Sequence, residues 1–119
     1  MNILSQYHVI FFKKLIYNNV FYGANTINQL LDQFITEDQT IDDAAETIEA
    51  LDSLLNEEII KIHYSGQSLI TLVANRVTSS IYDDPNLNSS FSLPTLDLKL
   101  IMQEWKHFLQ GEGYIKSSH

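Results

Sequence analysis

The chain has no cysteine. Disulfides, thiolate catalysis and cysteine-based zinc sites are therefore excluded. Two prolines and four glycines are all that punctuate it, and the glycines are dispersed. No glycine-rich phosphate loop and no Gly-x-Ser-x-Gly elbow can be read from it. Basic residues are scarce: seven Lys and Arg stand against fifteen Asp and Glu, for a formal net charge of −8. None lies between Lys14 and Lys61. A chain so poor in cations is badly equipped to neutralise phosphates, which argues against nucleic acid as a partner. Long apolar runs are also missing. Met1 to Tyr22 is the richest apolar stretch, but Lys13-Lys14 and Asn18-Asn19 interrupt it before the ~20 residues a membrane span requires. The two lysines follow its apolar run instead of preceding it, contrary to the order of a secretory signal. The expectation is a cytoplasmic protein with no membrane partner.

What is present suits a folded domain. A length of 119 residues fits one domain (1–119), and 45% hydrophobic residues supply a core. Leu4, Tyr7, Phe11 and Leu15 fall at helical spacing, and Val9, Ile10, Phe12 and Ile16 fill the other faces, which predicts a central helix over Leu4–Asn18. A strand at Val9–Phe12 competes with it. Gly23 supplies a bend. A second helix carries Ile27, Leu30, Leu31, Phe34 and Ile35 on one face, capped by Asn25 or Thr26. A third begins at Thr40 in a capping box with Asp43, burying Ile41, Ala45, Ile48, Leu51 and Leu55.

Ile59–Tyr64 and Leu69–Val73 read as a hairpin through Ser65-Gly66-Gln67, and Val77–Tyr82 as a third strand. A loop over 83–90 follows, then an extended Phe91-Ser92-Leu93 before Pro94. The last helix starts near Thr95 and buries Leu98, Ile101, Met102, Trp105 and Phe108 or Leu109. Gly111 and Gly113 end it, and Tyr114-Ile115 return as a tail. The expected fold class is α+β, mostly α: three N-terminal helices, a small antiparallel sheet or hairpin, and a C-terminal helix.

Catalytic and metal signatures are thin. Glu104 and His107 have Glu-x-x-His spacing, but only one copy exists where di-iron bundles use two. His8, His63, His107 and His119 are far apart in sequence; His8 reads as a core-edge residue and His63 as a sheet residue. The acidic loop at Asp83 lacks the glycine and distal glutamate of an EF-hand. The expectation is a non-enzymatic protein without cofactor or metal.

The informative feature is the distribution of acids. Asp32, Glu37, Asp38, Asp42, Asp43, Glu46, Glu49, Asp52, Glu57 and Glu58 occur with no intervening cation. Asp42 and Asp43 also suit the positive end of a helix dipole, so part of this run has a structural reason. The run as a whole either serves to keep the protein in solution or would steer a basic protein toward this surface. The candidate partner-binding residues are Asp42, Asp43, Glu46, Glu49, Asp52, Glu57 and Glu58.

Two resemblances accompany these readings. Helix 26–35, helix 41–56 and hairpin 59–73, joined by Leu-Leu-Asn-Glu-Glu-Ile-Ile-Lys-Ile (54–62), resemble a winged helix-turn-helix. That implies a transcriptional regulator or an interaction adaptor. Its would-be recognition helix, however, presents Asp42, Asp43, Glu46 and Glu49 where Arg, Lys, Asn or Gln would read bases. Phe-Ser-Leu-Pro followed by Leu-Asp-Leu-Lys-Leu-Ile-Met-Gln-Glu-Trp-Lys-His-Phe-Leu (91–109) is similar to the ending of bacterial immunity proteins. These accompany polymorphic and contact-dependent growth inhibition toxins. This second resemblance implies a protein that binds and neutralises a cognate, basic toxin such as a nuclease. Neither resemblance specifies an oligomeric state.

Overall fold

The structure, a computed structural model, describes residues 2–65, 70–83 and 89–111. The turn at Gly66-Gln67, most of the loop over 83–90, and Gly113, Tyr114, Ile115 and His119 lie outside the described residues. The chain runs α1 (Ile3–Gln6), β1 (Ile10–Ile16), β2 (Asn19–Asn25), α2 (Gln29–Thr36), α3 (Ile41–Leu55), β3 (Lys61–Ser65), β4 (Ile70–Asn75), β5 (Thr78–Asp83), β6 (Ser90–Pro94) and α4 (Thr95–Gly111). The mostly helical class with three N-terminal helices is thus overturned. Among the described residues there are four helices and six strands, in a four-stranded antiparallel sheet and a separate hairpin.

The difference arises at the N-terminus. In place of a helix over Leu4–Asn18, a single helical turn capped by Asn2 leads through His8 (φ 54°, exposed, not a core-edge residue) into the β1–β2 hairpin. Tyr17 and Asn18, at φ 50° and 67°, make the two-residue turn that matches strand twist. Strand geometry separates residues that a helix would crowd together. Phe11 turns inward to Trp105 and Phe108, at ring-centroid distances of 5.2 and 5.4 Å. Phe12 lies on the other side, across its cross-strand partner Gly23. A Cβ at Gly23 would come within 2.3 Å of the Phe12 ring, so this glycine serves close approach within a strand and makes no bend.

The main sheet has the order β3-β4-β5-β6, every pair antiparallel. Its register aligns Ile62, Ala74, Ser79 and Leu93 in one row, and Tyr64, Leu72, Ile81 and Phe91 in the next. Alternation puts both rows on the same face. That face meets the helices, whose buried residues include Leu31 and Ile35 of α2, Leu51 and Leu54 of α3, and Leu98, Ile101, Met102, Trp105 and Leu109 of α4. β3 and β4 form a hairpin built into this sheet, and β5 follows β4 through a turn in which Asn75 Oδ1 accepts from Val77 N and Thr78 N, each at 2.9 Å.

At the start of α4, Thr95 is fully buried and its hydroxyl donates to the Asn75 carbonyl at 2.6 Å. With its only proton so committed, it accepts from Ser79 Oγ at 2.8 Å.

The helices begin on side-chain caps. Thr40 Oγ1 accepts from Asp43 N at 3.0 Å, as the capping box predicts. α2 is capped by Asn28, whose Oδ1 accepts from Leu30 N at 2.8 Å, not by Asn25 or Thr26. Thr26 N instead donates to Asp32 Oδ1 at 2.6 Å. α3 packs chiefly on α4. Its most buried residues are Ala44, Leu51 and Leu54, a face rotated from the expected one, in which Ala45 and Leu55 took the places of Ala44 and Leu54. This rotation carries Asp43, Glu46, Thr47 and Ala50 toward the sheet. No helix among the described residues is long and apolar enough to cross a membrane.

Candidate functional site

A cleft of about 600 Å³ opens between α3 and the β3 side of the sheet. Phe34, Ala50, Leu51, Ile62 and Leu72 give it an apolar lining, and Glu37, Asp38, Asp43 and Glu46 add four carboxylates, with Thr47 and Tyr64 beside them. No Lys, Arg or His is among these residues. Asp43, Glu46, Thr47 and Ala50 follow one another at i, i+3, i+4 and i+7, so the helix presents them together.

Asp38 is anchored at both its carbonyl and its carboxylate. Its carbonyl accepts from Trp105 Nε1 at 2.6 Å, which ties the α2–α3 connection to the core. Its carboxylate accepts from Thr47 Oγ1 at 2.6 Å. Burial pushes the Asp38 carboxyl up from 3.8 to about 6; the Thr47 hydrogen bond opposes the shift, and Asp43, Glu37 and Glu46 add to it by like-charge repulsion. The Tyr64 phenol is raised by burial first and then by Glu37, Asp38, Asp43 and Glu46. Two titratable groups on opposite walls therefore register the same negative field.

The residues singled out from the sequence are dispersed by the fold. All four of Asp42, Asp43, Glu46 and Glu49 are exposed on α3; Asp43 and Glu46 line the cleft, and Asp42 and Glu49 lie outside it. Asp52 is bound by Lys99 of α4, with Nζ and Oδ1 2.6 Å apart. Glu57 sits in the left-handed region at φ 61°, just beyond α3, with its carboxylate 4.0 Å from Arg76. Glu58 is exposed past the helix end. Sequence reasoning passed over Asp38, Glu37, Thr47 and Tyr64. Asp38 and Glu37 stood in the acidic run, two and three positions before the Thr40 cap, but nothing local shows that the core tryptophan holds their loop. Tyr64 stood at the end of the first strand of the expected hairpin, Ile59–Tyr64.

Among the described residues, no group of three or more His, Asp or Glu side chains is arranged to hold a metal ion. His63 and His107 are exposed, and Trp105 is fully buried as the core anchor expected of a helical-face aromatic. No family model matches the chain, and comparison with curated proteins and with solved structures finds no significant match.

Proposed function

We propose that this chain is a cytoplasmic, non-enzymatic protein of the immunity type, which neutralises a cognate basic toxin by taking one of its Lys or Arg side chains into the cleft. The observation that carries this reading is the state of Asp38. Its carboxylate is partly desolvated, has a hydroxyl donor, and stands among three other acids on an apolar lining. An inserted cation would relieve that repulsion. Its hydrocarbon stem would cover Phe34, Leu51 and Ile62 while its head met Asp38, Asp43 and Glu46. The net charge of −8 would speed encounter with a basic partner. The resemblance to immunity proteins falls on β6 and α4, most of whose apolar residues, Leu96 excepted, pack in the core, so it assigns no contact residue.

The test is affinity capture from lysate of the source cells, with the native protein and with a D43K/E46K variant side by side. One basic chain recovered at near-equal stoichiometry by the native protein and lost by the variant supports the cleft reading. Equal recovery by both removes the cleft from the interface. Retention of DNA and no protein overturns the proposal in favour of a winged-helix regulator.

A further inference from the structure

β3 is an edge strand, hydrogen-bonded to β4 on one side and to no strand on the other among the described residues. An antiparallel strand with one neighbour directs alternate N–H and C=O groups away from the sheet, where they can pair with another chain. Proteins usually blunt such edges with proline, bulges or charges. β3 has no proline, its register with β4 runs without a bulge, and Lys61 at its start is its one formal charge. Lys61 and His63 are exposed, Tyr64 is 52% exposed, and Ile60 just before the strand is 88% exposed. The edge is thus an accessible β-branched and aromatic segment.

What lies beside this edge specifies the chemistry of its occupant. Ile62 and Tyr64, the inner-face residues of β3, are also a wall of the acidic cleft. A strand laid against β3 extends that inner face past the wall. Every second side chain of the added strand then points to the same side as Ile62 and Tyr64, toward Asp43 and Glu46 across the cleft. Same-face residues of a strand recur at about 7 Å. Side chains three apart on a helix are about 5–6 Å apart at Cβ. Two successive inward-facing cations can therefore each meet an acid of α3.

We propose that the partner binds by β-augmentation: it contributes an extended segment with Lys or Arg at alternate positions, which pairs with the free edge of β3 as a fifth strand and lowers its basic side chains into the cleft. The proposal rests on the cleft reading above and adds backbone pairing to it. Charge argues against a second copy of this chain as the occupant. Edge-to-edge pairing through β3 would bring two acidic clefts together on molecules of net charge −8 each.

The test uses the full chain and four synthetic probes of alternating lysine and valine: the plain peptide, two with N-methyl groups on the amides of one edge or of the other, and one with glutamate for lysine. Fluorescence anisotropy gives affinity, and NMR amide exchange reports on β3. We expect the plain peptide to bind and the glutamate peptide not to. N-methylation on the pairing edge should weaken binding about tenfold or more, and alternate β3 amides should slow in exchange by about tenfold or more when the plain peptide binds. D43K/E46K and the neutral pair Asp43→Asn with Glu46→Gln should both weaken binding, which guards against misfolding of either variant. Charge-dependent binding that survives methylation on either edge and leaves β3 exchange unchanged overturns the strand and leaves the cleft reading standing. Absence of charge-dependent binding sinks both. A dimer by light scattering, with β3 protected before any peptide is added, overturns the basic occupant in favour of self-pairing.

Discussion

At the scale of single residues, Asp38 carries a partly buried carboxylate whose charge opposes folding. Its carboxyl is raised from 3.8 to about 6. Between those values the folded protein holds a proton that the unfolded chain has released, so stability falls as pH rises through this window and levels off above about 6. Asp38→Asn keeps an acceptor for Thr47 without the charge. At neutral pH it should stabilise the protein by about 1–2 kcal/mol, a value discounted from the full shift for the solvent that still reaches the group. The gain should shrink toward zero as pH approaches 4, as urea denaturation at pH 7, 5.5 and 4.5 would show. A gain independent of pH would mean that burial of the charge is not the cause. Thr95 presents the opposite case, a buried polar group fully used. Thr95→Val keeps the shape but strands the Asn75 carbonyl and the Ser79 hydroxyl, and should cost about 1–3 kcal/mol. Thr95→Ser, which preserves both bonds, should cost clearly less in the same denaturation experiment.

At the level of elements, the end of α3 decides where β3 begins. Glu58 N donates to Ser53 O at 2.8 Å and Glu57 N to Leu54 O at 3.1 Å, the bond pair of a Schellman cap. The left-handed residue of such a cap is usually glycine, and here it is Glu57 at φ 61°. The Arg76 contact at 4.0 Å joins two exposed side chains and contributes little. Glu57→Gly should therefore raise stability by up to about 1 kcal/mol, measured as a higher thermal midpoint. A drop in the midpoint would show that the glutamate side chain matters more than its backbone strain. The same substitution removes one of the acids first read as partner-binding. Because Glu57 lies outside the cleft, partner affinity should change little.

For the whole molecule the question is how an acidic surface becomes an acidic site. Acids scattered over a sphere keep a protein in solution and attract cations diffusely. Here the joining of α2 to α3, and of α3 to the sheet, gathers Glu37, Asp38, Asp43 and Glu46 opposite Tyr64. A cation bound there favours ionised Asp38, so binding must release a proton wherever the free protein is protonated. Affinity for a basic partner should therefore rise with pH up to about 6 and then level off. Calorimetry at pH 5.5 in two buffers of different ionisation enthalpy would detect the released proton. Equal heats in the two buffers would place the cation away from Asp38.

Much of this architecture is determined by local sequence. Apolar spacing placed α2, α3 and α4, Thr40 marked a helix start, and β-branched alternation marked β3, β4 and β5, because each of these signals acts within a few residues. The N-terminal hairpin was not determined in this way. Ile10–Ile16 carries apolar residues on nearly every face around Lys13 and Lys14 and satisfies helical and strand periodicity alike. The tie is broken by distant partners: Trp105 and Phe108 receive Phe11, and Gly23 leaves room for Phe12. The site divides along the same line. Composition alone makes the surface acidic. Only tertiary structure separates Asp52 on its Lys99 bridge, and Glu57 and Glu58 beyond the helix end, from Asp43 and Glu46, and brings these to Asp38 and Tyr64. The reason is that a carboxylate's role is set by its desolvation and its neighbours, and both come from parts of the chain far away in sequence.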